Sequence, residues 1–268
     1  VSRNAFDNIA LSLLLGLTTI TIYDNYYYIY STIYAIMLAI SHAMQASVGN
    51  SIAKESVEKN RNDLKILNFL FMYIVGFCTI CLACLYQPFM RIWMNNNESM
   101  MLSEYNMLLF CIYFYAINTN NIRNLYVNGC GLYYECRIWF VVEALGNLIL
   151  NFTLGYFFGV TGILLATIVT IILFNFILRT NVLFKNYFNE TAFDFYKEHL
   201  FYLSVTIIAG LITYLTVNFI SVPGIGGFIL KMICTCVLSN LIYLIAYYRT
   251  DIFKDSASFI KDRVLLRH

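Results

Sequence analysis

SVGNSIAKESVEKNRNDLKILNFLFMYIVGFCTICLACLY, Ser47 to Tyr86, passes from small residues through a charged cluster into an uncharged run. From Ile66 to Tyr86 no residue carries a charge, and 21 residues of helix at 1.5 Å each reach about 32 Å, enough to cross the hydrocarbon core of a bilayer. The cluster ahead of that run gathers Lys54, Glu55, Glu58, Lys59, Arg61, Asp63 and Lys65 in a chain of which only 12% is charged. Such a concentration marks the place where one span leaves the membrane and the next enters it.

The rest of the chain repeats the pattern. Its 268 residues are 60% hydrophobic and 17% aromatic, with a mean hydropathy of +0.68, more apolar surface than a water-soluble domain of this size buries. A closed barrel would show short alternating segments; here apolar runs of about twenty residues recur, the length of a membrane-crossing helix. They are Ile9 to Tyr23, Tyr30 to Ile52, Ile66 to Tyr86, Leu102 to Tyr126, Ile138 to Phe158, Val160 to Phe184, Leu200 to Ile220 and Phe228 to Tyr248. The first is short and is expected to merge with its flanks. The fold class is thus an all-α integral membrane protein of about eight transmembrane helices, with residues 1–268 as a single polytopic domain. Val1 carries neither an initiator Met nor a signal-peptide pattern behind it, so a product truncated at its N-terminus is expected.

Lys and Arg near span ends are retained on the cytoplasmic side. With the N-terminus inside, fifteen of the seventeen basic residues fall on inner segments, among them Arg123, Arg137 and Arg179, leaving Arg91 and Lys231 toward the outside. Both termini of the chain are then cytoplasmic. The outer connections are Asp24 to Ile29, Gln87 to Met101, Gly159 to Gly162 and Ser221 to Gly227. Residues 249–268 set Ile252, Phe253, Phe259, Ile260, Val264 and Leu265 among charges, the pattern of an amphipathic tail on the inner leaflet. A net charge of +2 is a signal of orientation and implies no nucleic-acid partner. Cys78, Cys81 and Cys84 mimic an iron–sulfur spacing, but inside an apolar run they read as small core residues, and no metal is implied. YDNYYYIY at Tyr23 to Tyr30 reads as an interfacial aromatic belt, with a sugar-stacking platform as the alternative.

Polar side chains inside spans are costly and should face other helices or water. Three sets stand out. In the second span His42 and Gln45 share a helical face with Asn50 two turns from His42, suited to lining a cavity or to bonding between helices. In the fifth, Glu143, Asn147 and Asn151 at i, i+4 and i+8 form one stripe, suited to ion coupling or gating, or to pairing Glu143 with an Arg of a neighbouring helix. Toward the inner end of the fourth lie Asn118, Asn121 and Arg123; the guanidinium can hold a phosphate through two donors or serve as a positive-inside anchor. Gly155 and Gly159 form a GxxxG that permits close helix approach.

In collinear order, IYDNYYYI (Ile22 to Ile29), SVGNSIAKES (Ser47 to Ser56), PFMRIWM (Pro88 to Met94) and VEALGNLILNFTLGYFFGVTGILLATIV (Val142 to Val169) give a chain that resembles the polysaccharide flippases of the Wzx type, in the multidrug/oligosaccharidyl-lipid/polysaccharide exporter superfamily. It departs from the family's pattern at Asn95, commonly Gly, and at Asn151, frequently Ser. The resemblance implies the second lobe of a two-lobed flippase plus two trailing helices. It also implies movement of undecaprenyl-diphosphate-linked oligosaccharide across the bacterial cytoplasmic membrane by alternating access, for capsule or O-antigen. Membrane lipid and polysaccharide polymerase machinery would be its surroundings. No cofactor is expected, because no GxxxxGK[ST] loop occurs; a proton or sodium gradient would drive transport. An ion-coupled multidrug exporter of the same superfamily, and an inactive fragment lacking its first lobe, are the alternatives. A polytopic enzyme fits less well, because the outer connections are short and the only histidines are His42, His199 and His268.

Overall fold

Gly16 decides how the chain enters the bundle. Its φ of 82° is left-handed, a conformation that a residue without Cβ adopts at little cost, and it separates α1 (Ser2–Leu15) from α2 (Leu17–Lys54). The computed structural model describes residues 2–220 and 222–265, with side chains for 5–220 and 222–261. The side chains of Arg3, Arg263, Val264, Leu265 and Arg267, and all of Ser221, lie outside the described residues.

The turn expected at Asp24 to Ile29 does not form. Helix α2 runs through it unbroken for 38 residues, about 57 Å at 1.5 Å per residue. Tyr23, Tyr26 and Tyr30 fall at i, i+3 and i+7 and are all buried, with Phe110 packed on Tyr23 and Tyr26 and Tyr113 stacked on Tyr30 at 4.6 Å. Tyr26 Oη donates to Gln87 Oε1 at 2.6 Å. Continuing the helix keeps its backbone bonded while burying three rings, which outweighs the turn-forming Asp24 and Asn25. These three tyrosines are therefore core and not an interfacial belt.

Seven helical rods among the described residues are long and apolar enough to cross a membrane, not eight. They are α2; α3 (Val57–Trp93); Glu98–Gly129, holding α4 (Glu104–Asn118) and α5 (Asn121–Gly129); α6 (Tyr133–Phe158); Val160–Phe188, holding α7 (Val160–Thr170) and α8 (Arg179–Leu183); α9 (Phe193–Asn218); and α10 (Gly224–Tyr247). The apolar part of α1, Ala5–Leu15, is too short to span. Connections of a few residues fold these rods into successive hairpins.

Ser56 caps α3 by accepting from Lys59 N at 3.2 Å. The helix then runs on past Gln87 to Trp93, taking half of the connection expected at Gln87 to Met101. It stops where Asn95 and Asn96 adopt φ of 49° and 59°, a region that Asn tolerates better than most residues. The close approach of α6 and α7 uses Gly155 and Gly162, not the pair Gly155 and Gly159. Gly159 is the turn itself, with φ 61°, and a Cβ on Gly162 would lie 2.0 Å from the Leu154 carbonyl oxygen.

The rod after Gly159 changes winding twice, with π-helical turns at Ile171–Leu178 and Phe184–Phe188 around α8. It thereby carries Asn175 and Arg179 into the interior and ends beyond Phe184. Arg61 pairs with Glu190 at 3.3 Å and Lys65 with Glu198 at 3.5 Å, so the start of α3 and the start of α9 share one charged end of the bundle. Helix α11 (Asp251–Leu265) does not hang free: Ile252 and Phe253 pack on the core, Phe253 against Phe69 of α3, and Ser256 is buried.

Candidate functional site

Inward-facing polar residues of α5, α6 and the Val160–Phe188 rod converge in mid-bundle. The stripe Glu143, Asn147 and Asn151 is buried along its length, at 5%, 1% and 0% exposure, so the i, i+4, i+8 spacing does put all three on one internal face. Each has a partner from another element. Glu143 forms an ion pair with Arg179 through Oε2 and Nη2. Asn147 Nδ2 donates to Thr167 Oγ1 at 3.1 Å and Thr170 Oγ1 at 3.4 Å. Asn151 Nδ2 donates to Asp7 Oδ1 at 2.7 Å and to Asn147 Oδ1 at 3.3 Å.

Asp7 and Arg179 are the residues that sequence reasoning missed. Asp7, fully buried on α1, also accepts from Thr167 Oγ1 at 3.2 Å; it lies before the first apolar run and so looked like a flanking charge. Arg179 was placed with the inner anchors, yet it is only 4% exposed, with its guanidinium 4.0 Å over the Phe140 ring. The span runs on to Phe188, which leaves Arg179 well inside it. Its four-residue spacing from Asn175, the stripe period of a helix, was the available signal.

Arg123 is likewise no end anchor and does not face open space. It is fully buried, donating through Nη1 to Asn175 O at 3.0 Å and through Nη2 to Asn175 Oδ1 at 2.7 Å and Asn120 Oδ1 at 2.9 Å. Carbonyls of a π-helical segment are offset from the usual ladder, and Arg123 braces this one from α5. Asn118 is buried too, its Nδ2 bonded to Phe114 O and its Oδ1 to Asn121 Nδ2.

Between these elements opens a cavity of about 260 Å³, lined by Asn120, Asn121, Asn124, Glu143, Asn147, Asn175 and Arg179, with Phe6, Tyr34 and Phe140 as its aromatic wall. Carboxamides in this number offer donors and acceptors together, the pairing that hydroxyl-rich ligands require. Of the residues expected at the site, Asn121, Glu143 and Asn147 line this cavity; Asn118, Arg123 and Asn151 lie behind its wall.

His42, Gln45 and Asn50 are elsewhere, on the exposed face of α2, where His42 Nδ1 lies 3.4 Å from Gln45 Oε1. That face is not built for lipid. Asp24, Thr32, Ala35, Ala39, His42, Gln45, Ala46 and Asn50 are exposed along it, and the large apolar side chains exposed on α2 are Leu17, Tyr28 and Ile36. On α9, by contrast, Leu200, Phe201, Ile207, Ile208, Leu211, Ile212 and Leu215 are exposed, and α10 follows the same pattern. One side of the bundle is greasy; the side carrying α2 is polar and small.

Cys78 and Cys81 are half-buried and Cys84 is buried in α3, all as free thiols. Compared with protein families, characterised proteins and solved structures, the chain matches none of them.

Proposed function

We propose that this chain is a lobe of an alternating-access membrane transporter that moves an undecaprenyl-diphosphate-linked oligosaccharide to the outer leaflet, the charged end that holds Arg61 and Lys65 facing the cytoplasm. The observation that carries the reading is the polar outward face of α2 beside the amide-lined cavity, set against the hydrocarbon-like faces of α9 and α10. A helix that met only lipid would not keep Asp24, His42, Gln45 and Asn50 exposed; one that walls an aqueous pathway would. The collinear motifs that resemble the Wzx-type flippases support the same reading.

The coupling ion fits at Asp7. Its carboxylate, the hydroxyls of Thr167 and Thr170 and the amide oxygens of Asn147 and Asn151 bring hard oxygen donors together among α1, α6 and α7, and Asn151 Oδ1 is buried without a hydrogen-bond partner. Sodium suits such donors, and a proton on Asp7 is the alternative.

A buried Asp7 beside the α6 stripe, in addition to the Glu143 that the sequence suggested, gives some support to an exporter of cationic drugs. The gene's deletion separates these. A flippase deletion leaves lipid-linked oligosaccharide at the cytoplasmic leaflet and abolishes surface polysaccharide. Intact surface polysaccharide with heightened drug sensitivity would overturn the flippase reading in favour of the exporter.

A further inference from the structure

We infer that the Glu143–Arg179 pair is an anion site occupied by the protein's own carboxylate, which an anionic group of the ligand, phosphate or carboxylate, displaces when it enters the cavity. The inference deepens the transporter reading and rests on it for the molecule that bears the anion.

Both side chains line the same cavity, and neither is more than a few per cent exposed. A guanidinium at that depth is costly without a counter-charge, so a carboxylate must hold Arg179 while the cavity is empty. The hold is not the only restraint on the cation. Phe140 lies 4.0 Å beneath the guanidinium plane, so the edge of the group keeps its direction whichever anion sits on it.

Local hydrogen-bond chemistry favours the exchange. Immediately behind the wall, Arg123 donates to Asn120 and Asn175, both cavity residues, and its donors are shown on amide and carbonyl oxygens, not on a carboxylate. The Oδ1 of Asn175 is taken by Arg123, which turns the chemistry left to that amide into two N–H donors. Other titratable groups near the two guanidiniums are Asp7 of α1, which accepts from Asn151 and Thr167, Tyr34 of α2 at the cavity wall, Cys136 of α6, and Tyr196 and His199 of α9. The two cations and the two carboxylates, Glu143 and Asp7, thus balance, and the N–H donors left on Asn175 are what an incoming anion meets beside Arg179. At about 30 Å³ per water, some 260 Å³ holds roughly eight waters, room for a phosphate or a uronic acid carboxylate to come alongside Glu143 before replacing it.

The test is equilibrium binding to the purified chain in lipid nanodiscs, with inorganic pyrophosphate, glucuronate and glucose as probes. One of the two anions is expected to saturate the protein, pyrophosphate identifying a phosphate group and glucuronate a sugar acid, while glucose does not. Glu143→Gln removes the competitor, and affinity for that anion should rise about tenfold or more, because the cation it leaves behind needs a partner. Arg179→Gln should abolish binding. Arg179→Lys, which keeps the charge and spares the fold, should weaken it. The proposal is overturned if no anion saturates the protein, if Glu143→Gln binds no tighter than the parent, or if Arg179→Lys binds unchanged. These readouts do not depend on transport: anion exchange in a chain that moves nothing would leave the site standing and sink the transporter, and transport without anion exchange would do the reverse.

Discussion

Cutting the Glu143–Arg179 pair from either side should cost far more than cutting it from both. The side chains are 6% and 5% exposed, so each single substitution strands a charge that meets water only through the cavity, a loss of about 3–5 kcal/mol for buried pairs. Coulomb's law gives the same scale, about 4 kcal/mol for unit charges near 4 Å at an effective dielectric of 20. Glu143→Gln and Arg179→Met should each destabilise by about that amount, whereas the double variant, with no charge left to strand, should cost about as much as one single or less. The resulting coupling of about 3 kcal/mol or above is measurable by a double-mutant cycle. The assay is reversible unfolding in mixed micelles followed by far-ultraviolet circular dichroism, with binding-site integrity checked by tryptic protection. Singles that add to the double within about 0.5 kcal/mol would refute the reasoning, since they would mean that the two groups are solvated separately and that the cavity is wetter than its burial states.

At the α6–α7 contact, Gly162→Ala should destabilise by about 3 kcal/mol or more, because its Cβ meets the Leu154 backbone at 2.0 Å, at the upper end of overpacking costs. Gly155→Ala meets only the side chains of Ile163 and Leu14 at 3.1 Å and should cost about 1 kcal/mol; the same unfolding assay checks the order, and the reverse order would contradict the structure. If sodium binds at Asp7, the midpoint of thermal unfolding should rise with sodium chloride relative to choline chloride at equal ionic strength, by mass action on the folded state, and Asp7→Asn should flatten the response. Cysteine at His42 or Gln45, in a background freed of native thiols, should react with a membrane-impermeant maleimide, whereas cysteine at Ile208 should not; equal protection at all three positions would place the α2 face in lipid.

How far the sequence could be read depended on whether one helix or several decide a residue's surroundings. Glu143, Asn147 and Asn151 were legible because four-residue spacing places side chains on one face whatever that face meets. The nature of the face was not, since Asp7 and Arg179 approach from α1 and α8, 136 positions before Glu143 and 36 after it. Arg123 and Arg179 were misplaced for a related reason. Each stands near the end of an apolar run, where a cation ordinarily reaches water, but the rods run on past both, to Gly129 and Phe188. The aromatic stretch from Tyr23 to Tyr30 failed at the opposite scale. Its tyrosines at i, i+3 and i+7 already carried helical periodicity, but the stretch was read as an outer connection and an aromatic belt, while Gly16 seven residues before Tyr23 was the true break.

The two faces of the bundle give those interior details their sense. Hydrocarbon does not reward helices for associating through apolar side chains, so an isolated bundle in lipid could be greasy on every side, as α9 and α10 are. Keeping small and polar residues along α2 instead lowers its partition into lipid and is sustainable only if water or protein covers that face. The seam from Asp7 through Asn147 to Arg179 and Arg123 lines and backs the cavity whose wall includes Tyr34 of α2. A buried polar network is a hazard to a membrane protein unless every member is bonded. Here the bonds run between α1, α5, α6 and the π-wound rod, the elements that must shift together if a cavity is to open to one side and then the other. On the transporter proposal, the polar face would supply the path and the seam the groups whose partners change as a ligand or ion arrives.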